Sequence, residues 1–369
     1  MGNKIIFHIP WKISEHPSAS QLRPKEMLNA FIELGFDVTE VSGNNNERYE
    51  QIKKIQKDIK KGIRYQYCYS ESSTSPTIFA SGFNGIFTYF LIDYRLFAIL
   101  KKNKVPLGLF LRDIYWRFDD YKRGFITRSG LFKYFIHRSA YWLDSVIYYM
   151  FVTILYIPSM KMLPFLPRFL QGKTVVALPS GMHENKVNVQ NSSTFLKYIY
   201  TGGIGMHYEM ELLFYTASKT NGADFFFSFR EDEWQQEKAK YQKYNVDNIH
   251  IVHYQNEDLA TLYRECDIGL IVFEPTVYRE FAMPYKLFEY LSYKKPVIAT
   301  EGTAVGDFVK QWDVGWVVSY SSNALMNLFQ YLAKTPHEIV RVMDKIELIT
   351  KDNLWTARAL TINEGLCKS

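Results

Sequence analysis

Short apolar runs alternate with polar stretches of helix length along the whole chain. In the first half, "KIIFHI" reads as a buried strand. "RPKEMLNAFIELGF" reads as a helix with Pro24 near its first turn and Gly35 at its end. "DVTEVS" resumes as a strand, and the charged "NNNERYEQIKKIQKDIKKG" is a helix whose lysines face water. "PTIFAS", "VPLGLFLRD" and "VTILYIPS" are further strand candidates separated by helix-length segments. This alternation predicts a parallel sheet covered by helices on both faces.

Around "KVNVQNSS" the chain turns polar and a second series begins. The strands "FLKYIYTGG", "ADFFFSF", "NIHIVHY", "DIGLIVF" and "KPVIAT" alternate with the helices "EMELLFYTASKT", "DEWQQEKAKYQKY", "NEDLATLYREC" and "YKLFEYLSY". The expected architecture is α/β, with two doubly wound Rossmann-like domains joined near residue 190 and facing a cleft. Ligands of such sheets bind beyond the carboxyl ends of the strands.

A length of 369 residues suits two ordinary domains, and 47% apolar with 22% charged residues is a globular composition. The net charge of +6 suits anionic partners without specifying them. Cys68, Cys266 and Cys367 show no metal-like or disulfide-like spacing, which favours a reducing compartment. The opening "MGNKIIFHIPWKIS" has too short an apolar run for a signal peptide. "SVIYYMFVTILYI" is too short for a membrane span and ends at Pro158.

Three stretches carry candidate chemistry. In "YTGGIGMHYEMELL" a strand delivers Gly202, Gly203 and Gly205 just before a helix, where backbone amides can approach an anion. The bland alternative is a tight strand-to-helix turn, and His207 is either a phosphate contact or a solvated loop histidine. Arg230 stands at the carboxyl end of "FFFSF", where a guanidinium suits a diphosphate, unless Glu231, Asp232 or Glu233 pairs with it. In "FAMPYKLFEYLSYKKPVIAT", Pro284 can start a helix that presents Lys286 and Glu289 on one face. A diphosphate needs a cation such as Lys286, and a ribose offers two hydroxyls to a carboxylate such as Glu289. An ordinary Lys–Glu helical pair, worth roughly a few tenths of a kcal/mol, is the competing reading.

The ordered set of glycine loop, "CDIGLIVF", "PYKLFEYLSYKKPVIAT" and "GTAVGDFV" resembles the C-terminal domain of GT-B glycosyltransferases. It is most similar to the family 4 type of bacterial capsular, exopolysaccharide and lipopolysaccharide assembly. The resemblance covers roughly residues 195 to 365 well and the N-terminal half more loosely. It implies an N-terminal acceptor domain over 1–190, a nucleotide-sugar domain over 191–350, and a last helix over 351–369 that returns to the first domain. It adds the backbone amides around Ala282 and Met283, and Leu287, to the donor contacts, with Tyr278 and Arg279 weaker candidates in the same loop. It also implies retention at the anomeric carbon and no metal or other cofactor. The first glutamate of the family's E-x7-E element falls at Phe281, with Glu280 one residue earlier, and the family's Arg and Lys near the glycine loop are missing. Arg230 and Lys286 are then left to hold the diphosphate.

In the first half, Ser18, Ser20 and Arg23 of "SEHPSASQLRPKEML" lie where GT-B enzymes border their cleft. Arg112 and Asp113 end the strand of "LGLFLRDIYW". Asp113 is either a general base on an acceptor hydroxyl, if burial raises its pKa, or a structural partner of Arg112. Tyr115 and Trp116 fit sugar stacking or a core. Between Tyr121 and Lys173 the only acid is Asp144, among eight lysines and arginines interleaved with aromatics. Such a composition suits anionic headgroups. No recognisable RNA-binding motif accompanies it, so no nucleic-acid partner is expected.

The implied function is transfer of a sugar from a nucleoside-diphosphate sugar to a hydroxyl of a lipid-linked glycan, in the cytoplasm at the inner face of the cell membrane. Arg230, Lys286 and the loop amides would stabilise the departing diphosphate. The competing readings are an inverting transferase with Asp113 as base, a nucleotide-sugar 2-epimerase, and a non-catalytic subunit that binds nucleotide sugar or lipid.

Overall fold

The computed structural model describes residues 3–13, 19–79, 91–118, 128–185, 195–205, 208–244 and 246–369. The chain divides into two compact units, one formed by Met1–Ser180 with Trp355–Ser369 and the other by Gly181–Leu354. Each unit holds one six-stranded sheet in which every described pairing is parallel. Strands alternating with helices give this arrangement because a parallel pair needs a crossover, which a helix supplies.

The first unit contains β1 (Lys4–His8), β2 (Asp37–Val41), β3 (Cys68–Glu71), β4 (Leu107–Phe110), β5 (Ile154–Ile157) and β6 (Thr174–Ala177). Their spatial order is β2-β1-β3-β4-β5-β6, so the winding reverses between β1 and β3. Of "PTIFAS", the last two residues lie outside the described ones and Thr77–Phe79 is a 3-10 turn; the strand lies earlier, at Cys68–Glu71. Thr77 is held there by bonds that compete with a ladder, its N–H donating to Asp144 Oδ2 (2.9 Å) and its hydroxyl pairing with that of Tyr148 (3.1 Å). The first helix begins at Ala19, so Pro24 lies inside it rather than at its first turn. The last helix, Trp355–Cys367, packs on the helix Ala19–Glu33 and on β4. Gly108 permits the latter approach, since a Cβ there would lie 2.8 Å from Leu366.

The second unit contains β7 (Leu196–Thr201), β8 (Ala223–Ser228), β9 (Ile249–Val252), β10 (Ile268–Ile271), β11 (Val297–Thr300) and β12 (Gly315–Val318). Their order is β12-β11-β10-β7-β8-β9. The winding therefore starts at β7, runs outward to β9, and restarts at β10 on the other side of β7. Much of the chain's aromatic content is core here, as in the stacked pairs Tyr198–Phe225 (5.0 Å) and Phe214–Phe227 (4.4 Å). Offset aromatic packing of this kind adds to the burial of large apolar surfaces.

Candidate functional site

The switch point between β7 and β10 is where such a sheet opens a crevice at its carboxyl edge. β7 ends at Thr201 and passes into Gly202 and Gly205, both at positive φ (128° and 118°), a backbone region that L side chains rarely adopt. Lys286, on the helix Tyr285–Ser292 that follows β10, lies against this loop: a Cβ on Gly202 would be 2.7 Å from its Nζ. The ammonium also stands 3.9 Å from the Tyr200 ring, 5.4 Å from Tyr208 and 5.3 Å from Phe273. It is buried and has no hydrogen-bond partner among the described residues. Burial, helped by the Arg279 charge and opposed by Glu289, holds it well below the usual lysine value. A buried cation without a carboxylate is costly. This geometry makes the loop edge receptive to an anion.

Lys286 and Glu289 share a helix face but do not form the ordinary helical pair. Glu289 turns to the Tyr263 hydroxyl, and burial raises its carboxyl above the usual value while Tyr263 and Lys286 oppose the shift. Tyr263 in turn meets the Thr201 hydroxyl (3.0 Å), and the Tyr290 hydroxyl accepts from Thr201 N (2.9 Å). The end of β7 is thus fastened to the helix that carries Lys286 and Glu289. Gly269 lets that helix come close, because a Cβ there would lie 2.3 Å from the Tyr290 ring.

Arg230 stands just before the helix Glu231–Tyr241 and pairs with Glu233 at 3.0 Å, its side chain 61% exposed. Glu233 also accepts from the Ile204 amide of the glycine loop through Oε2 (3.3 Å). Arg279, weighted lightly in the sequence, is drawn into the cluster, with its guanidinium 4.2 Å from the Phe273 ring and 5.1 Å from Tyr208. Two of the three rings beside Lys286 therefore also carry a second cation. Tyr278 packs on Phe281 (5.3 Å), which is fully buried, whereas Glu280 is exposed. An apolar anchor thus stands at Phe281, where the resemblance would place a carboxylate. The Ala282 amide donates to Tyr278 O (3.1 Å) within the turn, Met283 is half-buried beside the core, and Leu287 is a core side chain. Gly203 lies under the Glu233 carboxylate. His207 lies outside the described residues.

In the first unit, Arg112 and Asp113 do follow β4 at its carboxyl edge. The Arg112 guanidinium points to the fully buried Glu71 (3.6 Å), which Arg23 also approaches (3.4 Å) and to which the Tyr69 hydroxyl donates (2.9 Å). The Arg23 guanidinium carbon lies over the Phe110 ring, 3.6 Å from its centre. Asp113 accepts from Tyr115 N (3.3 Å), and burial raises its pKa against that bond and the Arg112 charge. Tyr115 is half-buried in a short 3-10 turn, while Trp116 is core, stacked on Tyr141 at 5.3 Å. Ser18 lies outside the described residues, and Ser20 is in the first turn of the helix Ala19–Glu33. One cluster at the β1–β3 reversal had no sequence signal beyond the position of His8 at a strand end. His8 Nδ1 meets Ser70 Oγ (2.8 Å), its Nε2 meets Asp93 (2.9 Å), and Arg48 closes on the same carboxylate (2.9 Å), all buried. Among the described residues no group of three or more His, Cys, Asp or Glu is placed to hold a metal ion.

The segment 227–334 matches the family model described as "Glycosyl transferases group 1". Solved structures with the same fold include a sucrose-phosphate synthase from Thermosynechococcus elongatus, 12% identical over 99% of this chain and 98% of that one, with a TM-score of 0.65. They include Anabaena HepE in complex with UDP-glucose, 11% identical over 99% and 100% of the two chains, TM-score 0.64. WaaG, a glycosyltransferase involved in lipopolysaccharide biosynthesis, is 12% identical over 98% and 99%, TM-score 0.59. No curated protein sequence matches the chain. The fold is that of the GT-B glycosyltransferases, an α/β architecture of two units each with a parallel six-stranded sheet. Together with the family match, it supports a glycosyltransferase of the GT-B type.

Proposed function

We propose that this chain is a retaining hexosyltransferase of the family 4 type. It would move a sugar from a nucleoside-diphosphate sugar to a hydroxyl of a lipid-linked glycan in bacterial surface polysaccharide synthesis. The observation that carries this reading is the buried, unpartnered Lys286 ammonium against the glycine loop at the β7–β10 switch point. A departing diphosphate there would gain a cation and nearby loop amides, the groups that stabilise developing negative charge. No metal enters this scheme. Relatives solved with UDP-glucose, or named for lipopolysaccharide synthesis, favour the donor class and the setting.

The acceptor side rests on the helix Arg128–Phe151. It exposes Phe132, Phe135, Ile136, Trp142, Leu143, Val146, Tyr149 and Met150. These positions follow helical spacing and form one apolar stripe. Asp144, the acid of this helix, is buried on the opposite face, where Thr77 N–H and the Tyr94 hydroxyl bind it. Exposed basic residues, Lys133 and Arg138 among them, thus border the stripe without an exposed acid on the helix. This combination fits an anionic bilayer surface, here the inner face of the cell membrane. No helix among the described residues is long and apolar enough to cross a membrane.

A thermal-shift and turnover screen against nucleotide sugars, with and without anionic vesicles, tests the proposal. A selective shift with release of one nucleoside diphosphate is the expected result. Lipid binding with no response to any donor would instead make the chain an accessory subunit. An inverting reaction keeps one specific support, the raised pKa of Asp113. The anomeric configuration of the product separates the two mechanisms.

A further inference from the structure

The glycine loop is approached from two sides by opposite charges. Lys286 lies against Gly202, whereas Glu233 Oε2 would stand 3.3 Å from a Cβ on Gly203 and accepts from Ile204 N at 3.3 Å. Glu237 flanks the next glycine in the same way, its Oε1 lying 3.3 Å from the Cβ position of Gly205. A loop suited to hold a diphosphate thus already has one of its amides bound by a carboxylate. The same Glu233 carboxylate holds Arg230, the cation at the carboxyl end of β8, through its other oxygen at 3.0 Å.

A carboxylate and a phosphate oxygen make the same demand on a backbone amide and on a guanidinium, and both cannot occupy one position. Mobility decides which can yield. Lys286 is buried in its aromatic surround, but the side chains of Glu233 and Arg230 are 26% and 61% exposed and stand at the surface end of their helix. An exposed ion pair of this kind is weak, so its exchange for a stronger anion costs little.

We propose that the Glu233 carboxylate is an internal stand-in for a donor phosphate, holding the Ile204 amide and Arg230 until a nucleoside diphosphate displaces it. The proposal rests on the donor site described above and assigns that site its gate. On displacement, the Ile204 amide and the Arg230 guanidinium are both released to the incoming anion. Glu233 therefore lowers affinity in the empty protein, and its loss improves binding, the opposite of what a ligand-contacting or loop-supporting residue would show.

The test is calorimetric titration of the full chain with UDP, ADP and GDP, using wild type, Glu233→Ala, Glu233→Gln and Lys286→Ala, each checked for an intact thermal transition. The expected result is about fivefold or more tighter binding of one nucleotide by both Glu233 variants, the scale of one competing hydrogen bond removed, with binding weakened about tenfold or more in Lys286→Ala. Unchanged affinity in the Glu233 variants overturns the stand-in and leaves the donor site intact. Weaker binding overturns it also, making Glu233 a support of the loop. If no protein, wild type included, binds any of the three, the donor reading falls and the stand-in with it.

Discussion

The Nζ of Lys286 lies against the backbone of Gly202, 2.7 Å from where a Cβ would stand. A side chain added at Gly202 would therefore meet the ammonium. Lys286→Ala should weaken nucleoside-diphosphate binding by about tenfold or more, the scale of a charge-assisted hydrogen bond. The thermal transition should hold or rise, because a buried cation without a partner is removed. Gly202→Ala should both weaken binding and cost about 1–3 kcal/mol, since its φ of 128° is strained for alanine. Calorimetry and denaturant unfolding on the two variants check this. Equal nucleotide affinity in wild type and Lys286→Ala would remove Lys286 from the site.

Binding should also move a proton. Burial, with Arg279 nearby, holds the folded Lys286 well below 10.5, whereas the unfolded chain keeps the ordinary value. Between those two values the unfolded state binds the extra proton, so this group makes stability rise with pH through the window and adds nothing further above 10.5. A bound diphosphate favours the charged ammonium and pulls the proton back on. Titrations at alkaline pH, in two buffers of different ionisation heat, should show proton uptake in wild type and none in Lys286→Met. The same uptake in both proteins would refute the assignment.

The second unit was legible in the sequence because each of its inner strands is a compact apolar run closed by a glycine, a charge or a lysine pair. "ADFFFSF" and "KPVIAT" became β8 and β11. What escaped were edge strands. β6 and β12 each have one neighbour and half-exposed side chains, so "TVVA" and "GWVV" lack the full burial that marks an inner strand. β3 was missed because "CYSE" ends in polar side chains that are buried only through long-range partners, Ser70 on His8 and Glu71 on Arg23 and Arg112. The shared face of Lys286 and Glu289 could be read from their spacing. That they diverge, one to Gly202 and the other to Tyr263, depends on packing that spacing does not encode. The cation–aromatic role of Arg279 was hidden for the same reason, since Phe273, Tyr208 and Arg279 meet only after β10 is laid beside β7.

Tyr290 fastens the end of β7 by accepting from Thr201 N at 2.9 Å. Tyr290→Phe keeps the ring against Gly269 and removes that acceptor, leaving a buried amide unsatisfied. The expected loss is about 1–3 kcal/mol, read by denaturant unfolding, with nucleotide affinity lowered because the glycine loop follows directly. No change in stability would mean that the Thr201 amide finds another acceptor.

Asp113 gives a pH signature of opposite origin. Burial raises its folded pKa above 3.8, against the Tyr115 amide and the Arg112 charge. Between 3.8 and the raised value the folded state holds more protons than the unfolded one, so this group's contribution to stability falls as pH rises through that window. Asp113→Asn should therefore raise the thermal transition at neutral pH and make no difference below 3.8. Turnover of the same variant then discriminates mechanism: a drop of about 100-fold or more, the scale of general-base catalysis, would favour inversion, and retained turnover would remove Asp113 from the chemistry.

The apolar stripe of the helix Arg128–Phe151 makes the last prediction. Phe132 and Phe135 are 69% and 63% exposed and lie on its outer face, so Phe132→Ser with Phe135→Ser removes apolar surface without opening a core. Burial of a large apolar side chain in the interface is worth about 1.5–3 kcal/mol, so the double variant should bind anionic vesicles at least tenfold more weakly while keeping its thermal transition. Lys133→Glu with Arg138→Glu should weaken binding through charge instead, and the wild-type interaction should fall with added salt. Co-sedimentation with vesicles of phosphatidylglycerol and of phosphatidylcholine alone separates the two contributions. Equal binding of wild type and the Phe double variant would show that this stripe does not face lipid, and a dimer that dissociates in the same variant would show that it meets a second copy of the chain.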